Sequence, residues 1–228
     1  MAGGETRADG TTPSAKERGH ARTIVNRLTK RYPTIRTALH YDNAYQLLVS
    51  TVISAQTTDE NVNKAAPGLF KRWPEAEDLA EASHEDVEQA IFSTGFYRQK
   101  TRSIIALAQD LVDKFGGVVP DTLEALITLK GVGRKTASVV LAEAWNKPAI
   151  AVDTHVKRVS NRTGMTTETD PVKIEQDLKA LVPIDAWSGL SMRIIQYGRD
   201  VCDARKPRCW ECDLRKQCPY EPKTPRPE

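Results

Sequence analysis

The residues of this chain best placed to do chemistry are its cysteines, one lysine and one aspartate. All four cysteines fall between Cys202 and Cys218, spaced Cys202-x6-Cys209-x2-Cys212-x5-Cys218, in a chain of 228 residues. Scattered cysteines fill a core, but a whole set inside one short window reads as a single metal site. Thiolates held that close repel one another unless a metal or cluster neutralises them. A pair of disulfides is the alternative, and oxidising compartments favour it; Met1 to Gly10 offers no apolar stretch to act as a signal peptide. Zinc and iron–sulfur clusters both accept four thiolates. Only Cys209 and Cys212 form the close pair that zinc sites usually use twice. The looser spacings suit a larger [4Fe–4S] cube, so spacing leans toward the cluster and leaves zinc open.

The second signal is Leu126-Ile-Thr-Leu129-Lys130-Gly131-Val132-Gly133-Arg134-Lys135-Thr136-Ala137. Two leucines three apart share a helix face, and a second helix returns Val139, Val140 and Leu141 against them. The two glycines between permit a tight turn that a side chain would obstruct. The turn's N–H groups then point outward at a helix N-terminus, which is a ready anion site. A DNA phosphate fits there without any side chain, so a helix–hairpin–helix at 123–144 grips a backbone and reads no sequence. The bland alternative is a glycine turn with nothing bound.

Lys135 lies just past this turn. A lysine amine titrates near about 10.4, so on the order of one in a thousand or fewer is uncharged at neutral pH. A nucleophilic lysine must be neutral, and a partly dry site at a positive helix end has to lower the pKa by about 3, at roughly 4 kcal/mol. Taken alone, Lys135 reads more simply as a phosphate contact. Asp153, in Val152-Asp153-Thr154-His155-Val156, shifts the balance toward chemistry. A carboxylate can stabilise positive charge developing on a sugar or guide a proton. It can also cap the helix that follows, and one residue can do both.

The elements that must position these groups read as helices almost throughout. Ile24, Val25 and Leu28 open an amphipathic segment ending before Pro33. Asp42 or Asn43 caps a helix with Leu47, Leu48, Val52 and Ile53. Ser83 with Asp86 resembles a capping box. Ile104 to Phe115 keeps helical spacing until Gly116-Gly117 stops it. Asp121 starts a short helix, Thr136 to Trp145 forms another, and Asp153, Asp170 and Ile184 to Tyr197 supply more. Only Ala149 to Val152 suggests a short strand. Residues 1–17 and 221–228 are expected to be loose tails. Hydrophobic content of 39% and a net charge of +3 describe an ordinary soluble protein, and no run is long enough to span a membrane. Charge is informative only locally: Arg205-Lys206-Pro207-Arg208 lies inside the first cysteine loop, and three of the six residues from Lys130 to Lys135 are cationic.

Together the Gly131 to Ala137 turn, Val152-Asp153-Thr-His155 and the cysteine spacing resemble the endonuclease III family of helix–hairpin–helix, Gly/Pro-Asp DNA glycosylases, over about residues 20–220. The resemblance implies an all-α fold of two lobes: a six-helix barrel at 37–147, and a lobe of 18–36 with 148–220 carrying a [4Fe–4S] cluster on Cys202, Cys209, Cys212 and Cys218. It implies a monomer acting on damaged double-stranded DNA in the cytoplasm, with the nucleoid. A damaged nucleotide is flipped out, Lys135 attacks the sugar C1′, and β-elimination cuts the strand, with Asp153 stabilising the cationic sugar.

The same resemblance puts Gln56 of Ser54-Ala55-Gln56-Thr57-Thr58-Asp59 into the gap left in the duplex and Phe96 of Gly95-Phe96-Tyr97-Arg98 against the opposite strand. Lys130, Gly131, Val132, Gly133, Arg134 and His155 would contact DNA around the hairpin and the aspartate. Arg205, Lys206 and Arg208 would meet phosphates. Departures from the pattern are Lys130 for a usual proline, expected to loosen the turn while adding charge; Met192 and Tyr197 where histidines are common; and Phe96 for an aliphatic wedge.

Four other readings compete. An adenine-mispair glycosylase shares the hairpin, aspartate and cluster, but it needs no lysine nucleophile and typically carries an extra domain for which the short tail leaves no room. A pyrimidine-dimer glycosylase shares every motif. A non-catalytic DNA-binding module would use the hairpin and metal knot alone, and a redox protein would leave the hairpin and the lysine–aspartate pair idle.

Overall fold

The computed structural model describes residues 5–227, and eleven α-helices with three short 3-10 turns account for its regular structure. No strand occurs among the described residues, so Ala149 to Val152 is an extended connection. No helix is long and apolar enough to cross a membrane. The chain divides into two compact units, Thr37–Lys147 and Met1–Arg36 with Pro148–Glu228.

The Thr37–Lys147 unit is built around α2 (Ala44–Ile53), which is apolar nearly all round and therefore buried over most of its length. Asn43 caps it, its side chain accepting from the Gln46 N–H at 2.9 Å. Helices α3 (Asp59–Arg72), α4 (Ala76–Ala80) and α5 (His84–Ile91) follow. Ser83 caps α5 and hydrogen-bonds Asp86. The long α6 (Tyr97–Phe115) ends where Gly116 turns left-handed at φ 58°. Then come α7 (Leu123–Leu126) and α8 (Arg134–Trp145), the two arms of the hairpin. Leu47, Leu48, Leu107, Leu111, Leu126 and Val140 are fully buried. Each such side chain is worth about 1.5–3 kcal/mol against exposure.

The other unit joins α1 (Ala15–Arg31) to α9 (Thr154–Arg162), α10 (Pro171–Leu181) and α11 (Leu190–Asp200). Ile24, Leu28, Val156, Val159, Ile174, Leu178 and Ile194 share its core. Asp153 and Asp170 are N-caps, as their positions before apolar periods imply. The expected loose tail through residue 17 needs correction. α1 already starts at Ala15 under a Ser14–Glu17 capping box. Upstream, the Ala8 N–H donates to buried Asp177 at 3.0 Å, and Arg7 pairs with Glu17 at 2.8 Å. Polar composition suggested a tail, but the polar groups have partners far along the chain. Residues 1–4, also assigned to that tail, and Glu228 lie outside the described residues. At the other end Lys223 holds the Cys218 carbonyl at 2.9 Å.

Candidate functional site

The predicted hairpin turn lies between α7 and α8. Leu126, Leu129 and Val132 are buried and anchor the turn. Gly131 takes φ 78°, a conformation that disfavours any side chain. A Cβ there would sit 3.5 Å from the Ser103 Cβ on α6, an ordinary van der Waals distance, so the turn lies in contact with that helix. Gly133 is the N-cap of α8, a twelve-residue helix, and supplies no side-chain cap, so no N-cap side chain competes with an outside acceptor at this end. Lys130, Gly131, Gly133 and Lys135 are exposed, and Arg134 is half-buried. Lys135 thus stands in the first turn of α8, beside its N-terminal end.

Lys130 does not loosen the turn. Its backbone N–H, which a proline would lack, donates to Asp110 on α6 at 2.8 Å. Asp110 is buried and also pairs with Lys114 at 3.0 Å, while Lys114 donates to the Thr128 carbonyl at 3.0 Å. Burial alone would raise the Asp110 carboxyl; the Lys114 ammonium and the Lys130 N–H outweigh it and hold it below the usual value. The sequence reading missed both residues. Their i,i+4 spacing on a regular helix was the only local signal.

Gln56 and Phe96 share an unusual backbone. They are two of three non-glycine residues with positive φ among the described residues, at 55° and 47°. Such conformations are uncommon for residues with a Cβ and are worth attention where they occur. Gln56 is exposed two residues beyond Ser54, which ends α2. Phe96 is 63% exposed, so it is no core aromatic. Next to it Phe92 packs on Tyr97 with ring centroids 4.8 Å apart. Buried Lys100 holds this turn from below, its ammonium donating to the Thr94 carbonyl at 2.7 Å. Lys100 is a third residue that the sequence did not single out.

In the other unit Asp153 does the capping its position suggested. Its Oδ1 accepts from the N–H groups of His155 and Val156, both at 2.8 Å. Oδ2 lies 3.1 Å from the His155 Nδ1. One oxygen is thus fixed by backbone, and the second keeps a lone pair beyond its imidazole contact. His155 itself is pinned by Gly198 of α11, where a Cβ would meet the His155 Cβ at 3.2 Å. That glycine lets α9 and α11 approach closely, a requirement invisible in sequence.

The four cysteines are unbridged, Cys209 buried and the others half-buried. Arg162 of α9 donates to the Cys202 Sγ at 3.4 Å, and Cys218 donates to the Arg162 carbonyl at 3.0 Å. The Tyr197 hydroxyl lies 3.0 Å from the Cys212 Sγ. Burial raises the Cys212 thiol, as does its proximity to Cys202 and Cys209; burial also raises Cys218, and Cys212 and Cys202 add to it. Four soft donors within range of each other's charge suit a thiophilic metal centre. No three His, Cys, Asp or Glu side chains among the described residues are set to hold a metal ion. In the first cysteine loop Arg205, Lys206 and Arg208 are exposed. Asp203 orders the loop by accepting from the Arg205 and Lys206 N–H groups at 2.9 and 3.0 Å, while Arg208 pairs with Glu211 at 3.0 Å.

A family model for HhH-GPD superfamily base excision DNA repair proteins matches residues 49–183. Endonuclease III of Synechocystis sp. is 48% identical over 206 residues, covering 90% of this chain and 94% of that relative. The chain belongs to the endonuclease III family of the HhH-GPD superfamily. Endonuclease III of Thermotoga maritima is 42% identical over 197 residues, covering 86% of this chain and 91% of the relative. A solved non-covalent endonuclease III–DNA complex superposes with a TM-score of 0.84 at 39% identity, covering 89% of this chain and 95% of that one. The matched HhH-GPD segment contains the whole hairpin and Asp153 and ends before the cysteines.

Proposed function

We propose that this protein is a base-excision repair DNA glycosylase with AP lyase activity, removing oxidised pyrimidines from damaged duplex DNA. The observation that carries the reading is Lys135, exposed in the first turn of α8 directly after a glycine hairpin whose amides suit a phosphate. DNA backbone held by those amides would bring a flipped nucleotide's sugar to the lysine.

The chemistry follows in balanced steps. Lys135, as the free amine, attacks C1′, and the damaged base leaves with the bonding pair and takes up a proton. The nitrogen then gives up a proton and its lone pair forms the C=N bond as the C1′–O4′ bond breaks, O4′ taking up a proton. The ring-opened imine acidifies the C2′ proton, whose removal expels the 3′ phosphate with its electron pair. Water then hydrolyses the imine, releasing an unsaturated aldehyde and regenerating Lys135. Asp153 stabilises the cationic sugar through its less constrained Oδ2 and accepts the lysine proton. Gln56 would fill the vacated place in the duplex, and exposed Phe96 would wedge the opposite strand. Cys202, Cys209, Cys212 and Cys218 would hold a [4Fe–4S] cluster, which supplies a brace for the loop carrying Arg205, Lys206 and Arg208.

Borohydride trapping on a duplex with one thymine glycol tests this directly. Wild type should give a covalent protein–DNA adduct and Lys135→Ala none. Base release without an adduct would instead make the enzyme monofunctional. Neither release nor adduct, with the cysteine site loaded and DNA bound, would leave another lesion or a binding module.

A further inference from the structure

We infer that Asp110 is a positioning residue for the hairpin, holding its phosphate-binding amides in register from α6; the inference rests on the DNA-binding reading above. Ser103, Asp110 and Lys114 are spaced seven and four residues apart and so share one face of α6. All three meet the hairpin. The Gly131 turn abuts Ser103, Asp110 takes the Lys130 N–H, and Lys114 takes the Thr128 carbonyl.

The hairpin's own hydrogen bonds leave these groups to α6. Within the turn the Leu129 N–H donates to the Leu126 carbonyl and the Val132 N–H to the Leu129 carbonyl, both at 3.1 Å. The Lys130 N–H points instead at Asp110, whose side chain is only 8% exposed. A backbone N–H donating to a largely buried, charged acceptor is held in place, so this contact selects one geometry for the residue entering Gly131. The ion pair with Lys114 fixes the carboxylate in turn, and Lys114 itself reaches the hairpin two residues earlier. The result is a two-point clamp on Thr128 and Lys130, immediately before the amides that would face a phosphate.

The test is a double-substitution cycle in the full-length protein, pairing Asp110→Ala or Asp110→Asn with Lys130→Pro, which deletes the donated N–H. Two quantities are read: amide hydrogen exchange over residues 128–133 and the Kd for an undamaged duplex at fixed salt. Asp110→Ala should speed exchange and weaken binding by about tenfold, the scale of one lost hydrogen bond to a charged acceptor. Asp110→Asn should recover most of both, because its amide oxygen still accepts. Lys130→Pro should add little once Asp110 is Ala. Independent, additive effects of the two positions would overturn the clamp. Faster exchange with unchanged affinity would overturn the positioning role and leave the DNA reading intact. A protected hairpin in a wild type with no duplex affinity would remove the DNA reading, and this role with it. Should Asp110→Ala not fold, Asp110→Asn against Lys130→Pro carries the same comparison.

Discussion

At Asp153 the observed helix cap and the proposed chemistry fall to different atoms. Oδ1 caps α9 and Oδ2 faces the His155 imidazole, so the two roles can be separated by substitution. Asn caps helices as well as Asp does, and Ala does not. Asp153→Asn should therefore keep stability within about 0.5 kcal/mol while strand cleavage falls by about a hundredfold or more. Asp153→Ala should lose about 1 kcal/mol besides. Urea unfolding and a nicking assay on the same preparations separate the two. Tyr197 poses a related question at the cysteines, where it stands in place of a usual histidine. Its hydroxyl touches the Cys212 sulfur from a nearly fully buried position. Tyr197→Phe removes that contact and little volume. In protein carrying the proposed cluster it should fold normally yet bleach faster in air, followed by visible absorbance.

The hairpin is an element whose sequence shows what it is and whose neighbours decide how firmly it is held. Gly131, Gly133 and the flanking leucines announce the turn locally. Asp110, twenty residues upstream, determines that the turn keeps an N–H donor satisfied at Lys130. Its carboxyl is lower in the folded protein than the ordinary 3.8. The stabilisation it gives is therefore complete above that ordinary value and is lost as pH falls through the lower folded value. Wild type and Asp110→Asn should accordingly differ in urea midpoint near neutrality and converge in strong acid. A gap that widened on acidification would contradict this electrostatic account. The turn carrying Phe96 follows the same logic, with Lys100 supporting it from α6 through the Thr94 carbonyl.

Across the whole molecule a net charge of only +3 cannot hold DNA by itself, so affinity must come from local sites. Arg205 and Lys206 are exposed on a loop whose backbone Asp203 orders, whereas Arg208 already has Glu211 as a partner. Replacing Arg205 or Lys206 with Ala should weaken duplex binding regardless of sequence and reduce the salt slope by about 1 each. Arg208→Ala should do less, because binding must first break its ion pair. A salt titration of binding anisotropy distinguishes these cases. Equal effects at all three positions would mean that the Glu211 pair does not compete.

The sequence by itself carried the features decided within a few residues of chain: the caps Ser83, Asp153 and Asp170, a cap at Asp42 or Asn43, the glycine hairpin, and the cysteine spacing. Each depends on local backbone geometry, and that is what residue order encodes most directly. Tertiary structure decided what depends on partners distant in sequence. Arg7 and Ala8 are ordered by residues such as Asp177, Gly198 admits His155, and Lys100 and Asp110 are buried under turns they hold. The positive φ of Gln56 and Phe96 belongs here too, since neither residue type announces it. A buried charge or a strained turn persists only where surrounding packing supplies the compensating contacts. Those contacts come from parts of the chain that meet only after it has folded.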